Sequence, residues 1–230
     1  MANFKMHLAV ATVGSGFVSS ALLGADIVSP GEAAALWAAG SIGGIMPDID
    51  ADRSSAAENI FTGLGLVLAL AMMVGLASLC PTLLLWLASV ITYIVVRYGV
   101  LQIFYTFTHH RGIFHSVVAG AFFWFVVTAI SYHVLDLGAQ SSWTIGFLVF
   151  FGFLLHLMLD EAYSVDLQDQ RLERSFGTAF KLLDYHNLKT SGVMAIAALG
   201  MFFATPSFRV FIDFVRDAQT YRDIFSSLVP

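Results

Sequence analysis

The sequence predicts an all-α, polytopic membrane-embedded helical bundle of about seven apolar helices, followed by an amphipathic C-terminal helix. Three observations predict it. The 230 residues are 58% apolar and only 12% charged, against roughly 25% charged in soluble domains. The apolar residues fall into runs of helical length separated by short polar islands. Those islands gather histidines and carboxylates at the ends of the runs rather than inside them. No low-complexity linker and no internal repeat divides the chain, so residues 1–230 read as a single membrane-embedded domain whose tail is 206–230.

The first run, from about His7 to Leu23, is rich in Gly, Ala and Ser, which lets helices approach closely in lipid. Lys5 and the run after it imitate a secretory signal only weakly, because apolar character returns at once, and the run is retained as the first helix. Pro30 suits a helix start just before Glu32. The next run, from about Ala33 to Met46, falls short of the roughly 20 residues of a full span, which makes it tilted, re-entrant or buried in the bundle. After a polar stretch, runs from about Ile60 to Leu79 and from about Thr82 to Tyr105 form two spanning helices joined by a tight turn at Cys80-Pro81. A helix from about Ile113 to Leu135, a connector through Ser142 and a helix from about Trp143 to Asp160 follow.

The long charged loop from about Glu161 to Lys189 carries Phe176, Phe180, Leu182 and Leu183, which suit the membrane interface. A short seventh helix, from about Thr190 to Ala204, is ended by Pro206. Beyond it, Phe208, Phe211, Ile212 and Val215 share one helical face, the pattern of an amphipathic helix lying in the interface.

If all seven runs cross, Lys5/His7, Asp48/Asp52, His109/His115 and His156/Asp160 fall on one side of the membrane. The same side collects Arg53, Arg111, Arg171, Arg174, Lys181 and Lys189, so the positive-inside rule makes it cytoplasmic. Arg209, Arg216 and Arg222 in the tail oppose that assignment unless the last helix does not cross. A net charge of −5 without a basic run argues against an extended nucleic-acid surface. The lone Cys80 offers neither an intrachain disulfide nor a cysteine zinc site and reads as a packing residue.

Three polar islands carry the chemistry. His156 and Asp160, four apart, lie on one helical face and can share an ion; nitrogen and oxygen donors suit zinc, manganese or iron. Asp48, Asp50 and Asp52 alternate after Pro47, and such carboxylates repel one another unless solvated or joined by a cation. In His109-His110-Arg111-Gly112-Ile113-Phe114-His115-Ser116, Gly112 permits a turn. His110 and His115 can then approach one ion, while Arg111 offers a planar fork to an anionic oxygen. His7 shares the side; His109 is the weaker neighbour, and His133 and His186 read as structural.

The succession of an N-terminal His, Pro47-Asp48-Ile49-Asp50, His110-Arg111-Gly112-Ile113-Phe114-His115-Ser116 and a helix-closing His156/Asp160 resembles the YdjM-like membrane-bound metal-dependent hydrolases of bacterial and archaeal inner membranes. The resemblance covers His7 to about Asp166. It implies His7, Asp48, Asp50, His110, His115, His156 and Asp160 as the metal-site set, with Arg111 as anion contact and Ser116 in support. Phe114 stands where the family usually has Thr, and Ala51-Asp52 where a His-Pro pair is common.

Together these readings give a membrane hydrolase holding one or two divalent ions, zinc foremost and manganese, iron or magnesium as alternatives. The substrate class is a phosphoester of a membrane lipid or lipid-linked compound. Asp50 or Asp52 takes a proton from the attacking water, and Arg111 holds the non-bridging oxygens. A divalent-cation transporter and a metal-stabilised scaffold without turnover are the rivals. Transport sites usually lie near the midplane on broken, repeated helices, whereas these motifs sit at one end of their helices.

Overall fold

The computed structural model describes residues 4–50, 55–102, 105, 114–163, 165–166, 171–172, 181–183 and 188–228. Among the described residues the fold is all-α apart from one two-residue antiparallel pairing, in which Val165 pairs with Leu172 and Asp166 with Arg171. Contacts divide the chain into two compact units, residues 1–47 with 113–230, and residues 48–112.

The larger unit is built on α1 (Phe4–Gly24), α2 (Pro30–Gly43), α5 (Val117–His133) and α6 (Ala139–Tyr163). Helix α1 buries His7, Ala11, Ser15, Ser19 and Leu22, a spacing close to the helical repeat that turns one narrow stripe toward α2 and α6. The stripe is small rather than oily because two backbones must come near. Helix α2 opens on a capping box: Ser29 Oγ accepts from Glu32 N–H while the Glu32 carboxylate accepts from Ser29 N–H, with Pro30 in the first turn. At its other end Gly40 and Gly43 lie against Gly152 and Val149 of α6. A Cβ on Gly152 would strike the Gly40 carbonyl, and one on Gly43 the Val149 carbonyl. Only glycine allows that approach, so the crossing of α2 and α6 is fixed by three missing side chains.

Helix α5 packs on α6 and on α7 (Leu188–Ala204). The chain then turns through Thr205 and Pro206, with an 85° bend into α8 (Phe208–Arg216), and continues as α9 (Ala218–Leu228). The tail expected as one interfacial helix is thus two, broken at Asp217, whose backbone is extended. Its apolar face is used within the protein. Phe208 and Phe211 join Trp124, Trp143, Phe147 and Phe202 in an aromatic cluster, with Phe211 buried.

The smaller unit contains the 3-10 turn Pro47–Asp50 from Asp48 onward, α3 (Ser55–Gly75) and α4 (Thr82–Ile94), which continues as a π-helical turn, Val95–Val100. The two helices form the expected hairpin about Cys80-Pro81. At its open end Arg97, on the π turn, lies 3.2 Å from the Glu58 carboxylate on α3.

Among the described residues four helices, Phe4–Gly24, Ala57–Val74, Thr82–Val100 and Ala139–Tyr163, are long and apolar enough to cross a membrane; the bent pair Leu188–Ala204 with Phe208–Arg216 makes up to five, and Val117–His133 is a shorter apolar helix. Helix α2, at 14 residues, is the short second helix expected.

Candidate metal centre

One end of the larger unit brings His7, His115, His156 and Asp160 together. His7 stands in the first turn of α1, on the small-residue stripe facing α6. His156 and Asp160 project from one face of α6 a turn apart, among buried Phe153 and Leu157. His115 precedes α5, and its place is set by how that helix begins. Ser116, in extended backbone, caps the helix through Oγ, which accepts from Ala119 N–H at 3.3 Å. The next two N–H groups, of Val117 and Val118, donate to the carbonyls of Lys181 and Leu182 at 2.9 and 3.3 Å. The otherwise unpaired donors of the first turn are therefore tied to the charged loop.

All four side chains are withdrawn from solvent, with relative exposures of 1 to 3%. Nε2 of His7 lies 3.2 Å from Oδ1 of Asp160, and Nε2 of His156 lies 3.5 Å from Oδ2, with Nε2 of His115 at 3.9 Å from the same oxygen. The His7 and His156 rings stack with centroids 3.6 Å apart, and His115 meets His156 edge-on at 5.6 Å. Among the described residues neither Asp160 oxygen receives a hydrogen bond of good geometry, and Nδ1 of His7 has no partner.

The tautomer of His156 follows from its other nitrogen. Nδ1 lies 2.8 Å from the Gly44 carbonyl, which can only accept, so Nδ1 carries a proton. In the neutral imidazole Nε2 then bears a lone pair turned toward a carboxylate oxygen. Two acceptors facing each other inside an apolar bundle require a proton or a cation between them.

Donors sharing one tetrahedral ion at about 2.0–2.2 Å stand roughly 3.3–3.6 Å apart. The spacings about Asp160, 3.2, 3.5 and 3.9 Å, run from just under that range to just over it, and ligand atoms of His7, His156 and Asp160 all lie within 4.8 Å of one another. Two or three imidazoles with one carboxylate is a donor set suited to zinc, manganese or iron. The residues present fit a divalent ion.

Not every residue singled out in the sequence comes into this cluster. Asp48 is half-buried at the start of the smaller unit, in the turn that Asp50 closes. Asp52, His109, His110 and Arg111 lie outside the described residues. His133 bonds the Ala204 carbonyl at 2.8 Å, a structural contact as expected. The Gly44 carbonyl was not legible as a functional group, since a backbone acceptor leaves no side-chain signature; the Gly43-Gly44 pair at the end of a short helix was its only trace.

The family model described as YdjM inner membrane protein matches residues 3–168. The chain belongs to the YdjM inner membrane protein family. The matched region holds all four clustered residues, so this YdjM family member carries its His/Asp centre within the segment that defines the family. No curated protein and no solved structure matches the chain.

Proposed function

We propose that this YdjM family member is a membrane-bound metal-dependent hydrolase acting on a phosphoester of a lipid or lipid-linked substrate. The observation that carries the reading is the pairing of His156 and Asp160. Hydrogen bonding to Gly44 turns the His156 lone pair toward an Asp160 carboxylate 3.5 Å away, both buried. A divalent cation held there supplies Lewis-acid activation of water and neutralises anionic oxygens. His7, His156 and Asp160 hold it, with His115 as a further donor at the rim of α5. On sequence grounds Asp48, Asp50 and His110 extend the donor set to a second ion. Asp50 or Asp52 accepts a proton from the attacking water, and Arg111 forks onto the non-bridging oxygens of the substrate.

The end-of-helix position of the cluster favours hydrolysis at a membrane surface over transport across it. A second reading has its own support: the His7–Asp160 distance of 3.2 Å also suits a protonated imidazole paired with the carboxylate, which would make the cluster a structural pin. The experiment is metal analysis of the purified protein, followed by a screen of phospholipids and prenyl phosphates with and without chelator. About one or two zinc, manganese or iron ions per chain and chelator-sensitive phosphate release are expected. Protein that is metal-free and gains no thermal stability from added ions would leave only the structural pin.

A further inference from the structure

We propose that Gly44 is a positioning residue for the metal centre, and that its contact with Ala11 sets both His7 and His156; this rests on the metal-centre reading above. Gly44 adopts right-handed helical backbone, φ −69° and ψ −11°, open to any L residue. Strain therefore does not account for a glycine here, and space does. A Cβ built on Gly44 would collide with the Ala11 methyl, while its next neighbours, Ala11 Cα and the His7 carbonyl oxygen, lie at 3.5 Å, ordinary van der Waals contact. Among the described residues one buried methyl on α1 is all that excludes a Cβ.

The contact joins the two supports of the site. Ala11 is one turn beyond His7 on the same buried stripe of α1, so whatever moves Ala11 moves His7. Gly44 offers the carbonyl that accepts from Nδ1 of His156 at 2.8 Å and thereby assigns its tautomer. The closeness of Gly44 to Ala11 thus fixes the His7 ring on the His156 ring at 3.6 Å and turns both Nε2 atoms toward Asp160. A methyl on Gly44 would part the end of α2 from α1 by on the order of 1 Å, enough to break a hydrogen bond of this length.

The geometry also supplies its own control. Removing the Ala11 methyl leaves a Gly44 methyl only ordinary contacts, so A11G/G44A should restore what G44A takes away. The test compares wild type, A11G, G44A and A11G/G44A in detergent by titration with cobalt(II), reading affinity and the visible ligand-field bands. Selective nitrogen-15 histidine NMR of the metal-free proteins reads the His156 tautomer. We expect G44A to bind cobalt roughly 10- to 100-fold more weakly, the range for loss of a partner that orients a ligand, with altered bands and a mixed tautomer. The double variant should match A11G within about threefold, with wild-type bands and the Nδ1–H tautomer. G44A with wild-type affinity and spectrum overturns the proposal. So does a double variant that folds like A11G but binds no better than G44A, and if G44A itself does not fold, the double variant alone decides by its tautomer. Wild-type protein that binds no cobalt overturns the metal-centre reading instead, and the tautomer series on the same metal-free proteins still decides the role of Gly44.

Discussion

Asp160 is the residue on which the cluster turns, because it lies within 4 Å of His7, His115 and His156 alike. Asp160→Asn keeps the shape and removes the charge. If the site holds an ion, the variant should lose divalent-ion affinity by more than the roughly 10- to 100-fold that follows loss of an outer partner, with helix content unchanged by circular dichroism; retained affinity would place the ion elsewhere. Arg111→Lys should behave in the opposite way. Lysine keeps the charge but not the planar two-donor fork, and one bidentate contact in a transition state is worth roughly 2 to 4 kcal/mol, on the order of 30- to 1000-fold in rate. Single-turnover hydrolysis should therefore collapse while metal stoichiometry holds; full activity, or joint loss of metal and activity, would remove Arg111 from substrate contact. The His156/Asp160 pair could be read from sequence because a four-residue spacing on an apolar helix has one geometric meaning. His7 could be placed only by counting crossings, since a single histidine at a helix start carries no partner in its own neighbourhood. Gly44 could not be read, because its contribution is a carbonyl and an empty space.

Helix α5 begins where the charged loop is attached, and a single substitution can separate the two. Val117 is the first helical residue after the Ser116 cap, and its N–H is spent on the Lys181 carbonyl at 2.9 Å. Proline is favoured at that position and Ser116, at φ −144° and ψ 152°, already has the extended backbone that precedes proline. Val117→Pro should leave α5 and the thermal midpoint nearly unchanged while deleting one hydrogen bond worth about 1 kcal/mol, or roughly a fivefold population shift. The readout is the rate of tryptic cleavage after Lys181, mapped by mass spectrometry; an unchanged rate would mean that other contacts hold residues 181–183. The long apolar helices were legible as elements because their runs are uninterrupted and bounded by Pro, Gly and polar residues. The tail was legible only as amphipathic: Phe208 and Phe211 state that a face must be covered, and nothing in 206–230 states that Trp124 and Trp143 cover it. The tie between residues 181–182 and α5 runs through backbone groups, and such pairings have no sequence code.

Across the larger unit the helices alternate in direction. His7 at the start of α1, Gly44 after α2, His115 before α5 and His156 near the end of α6 meet at one end. At the other end Ser141, at the start of α6, donates to the Glu32 carboxylate at the start of α2 at 2.7 Å, and His133, closing α5, reaches the last residue of α7. This up-and-down arrangement puts His7, His115 and His156 at one end of the unit and carries the basic residues of α8 and α9 to the other. The positive-inside rule then rests on Lys5, Arg53, Arg111, Arg171, Arg174, Lys181 and Lys189, which outnumber the tail's Arg209, Arg216 and Arg222. A membrane-impermeant maleimide tests the map in right-side-out vesicles, with Cys80 replaced by alanine and single cysteines placed at Ser54, Ser175 and Gln140. Cysteine at 140 should label from outside, and cysteines at 54 and 175 only after permeabilisation. Unlike labelling at 54 and 175 would break the crossing count. The reverse pattern at all three positions would keep the count and place the His/Asp cluster at the outer face.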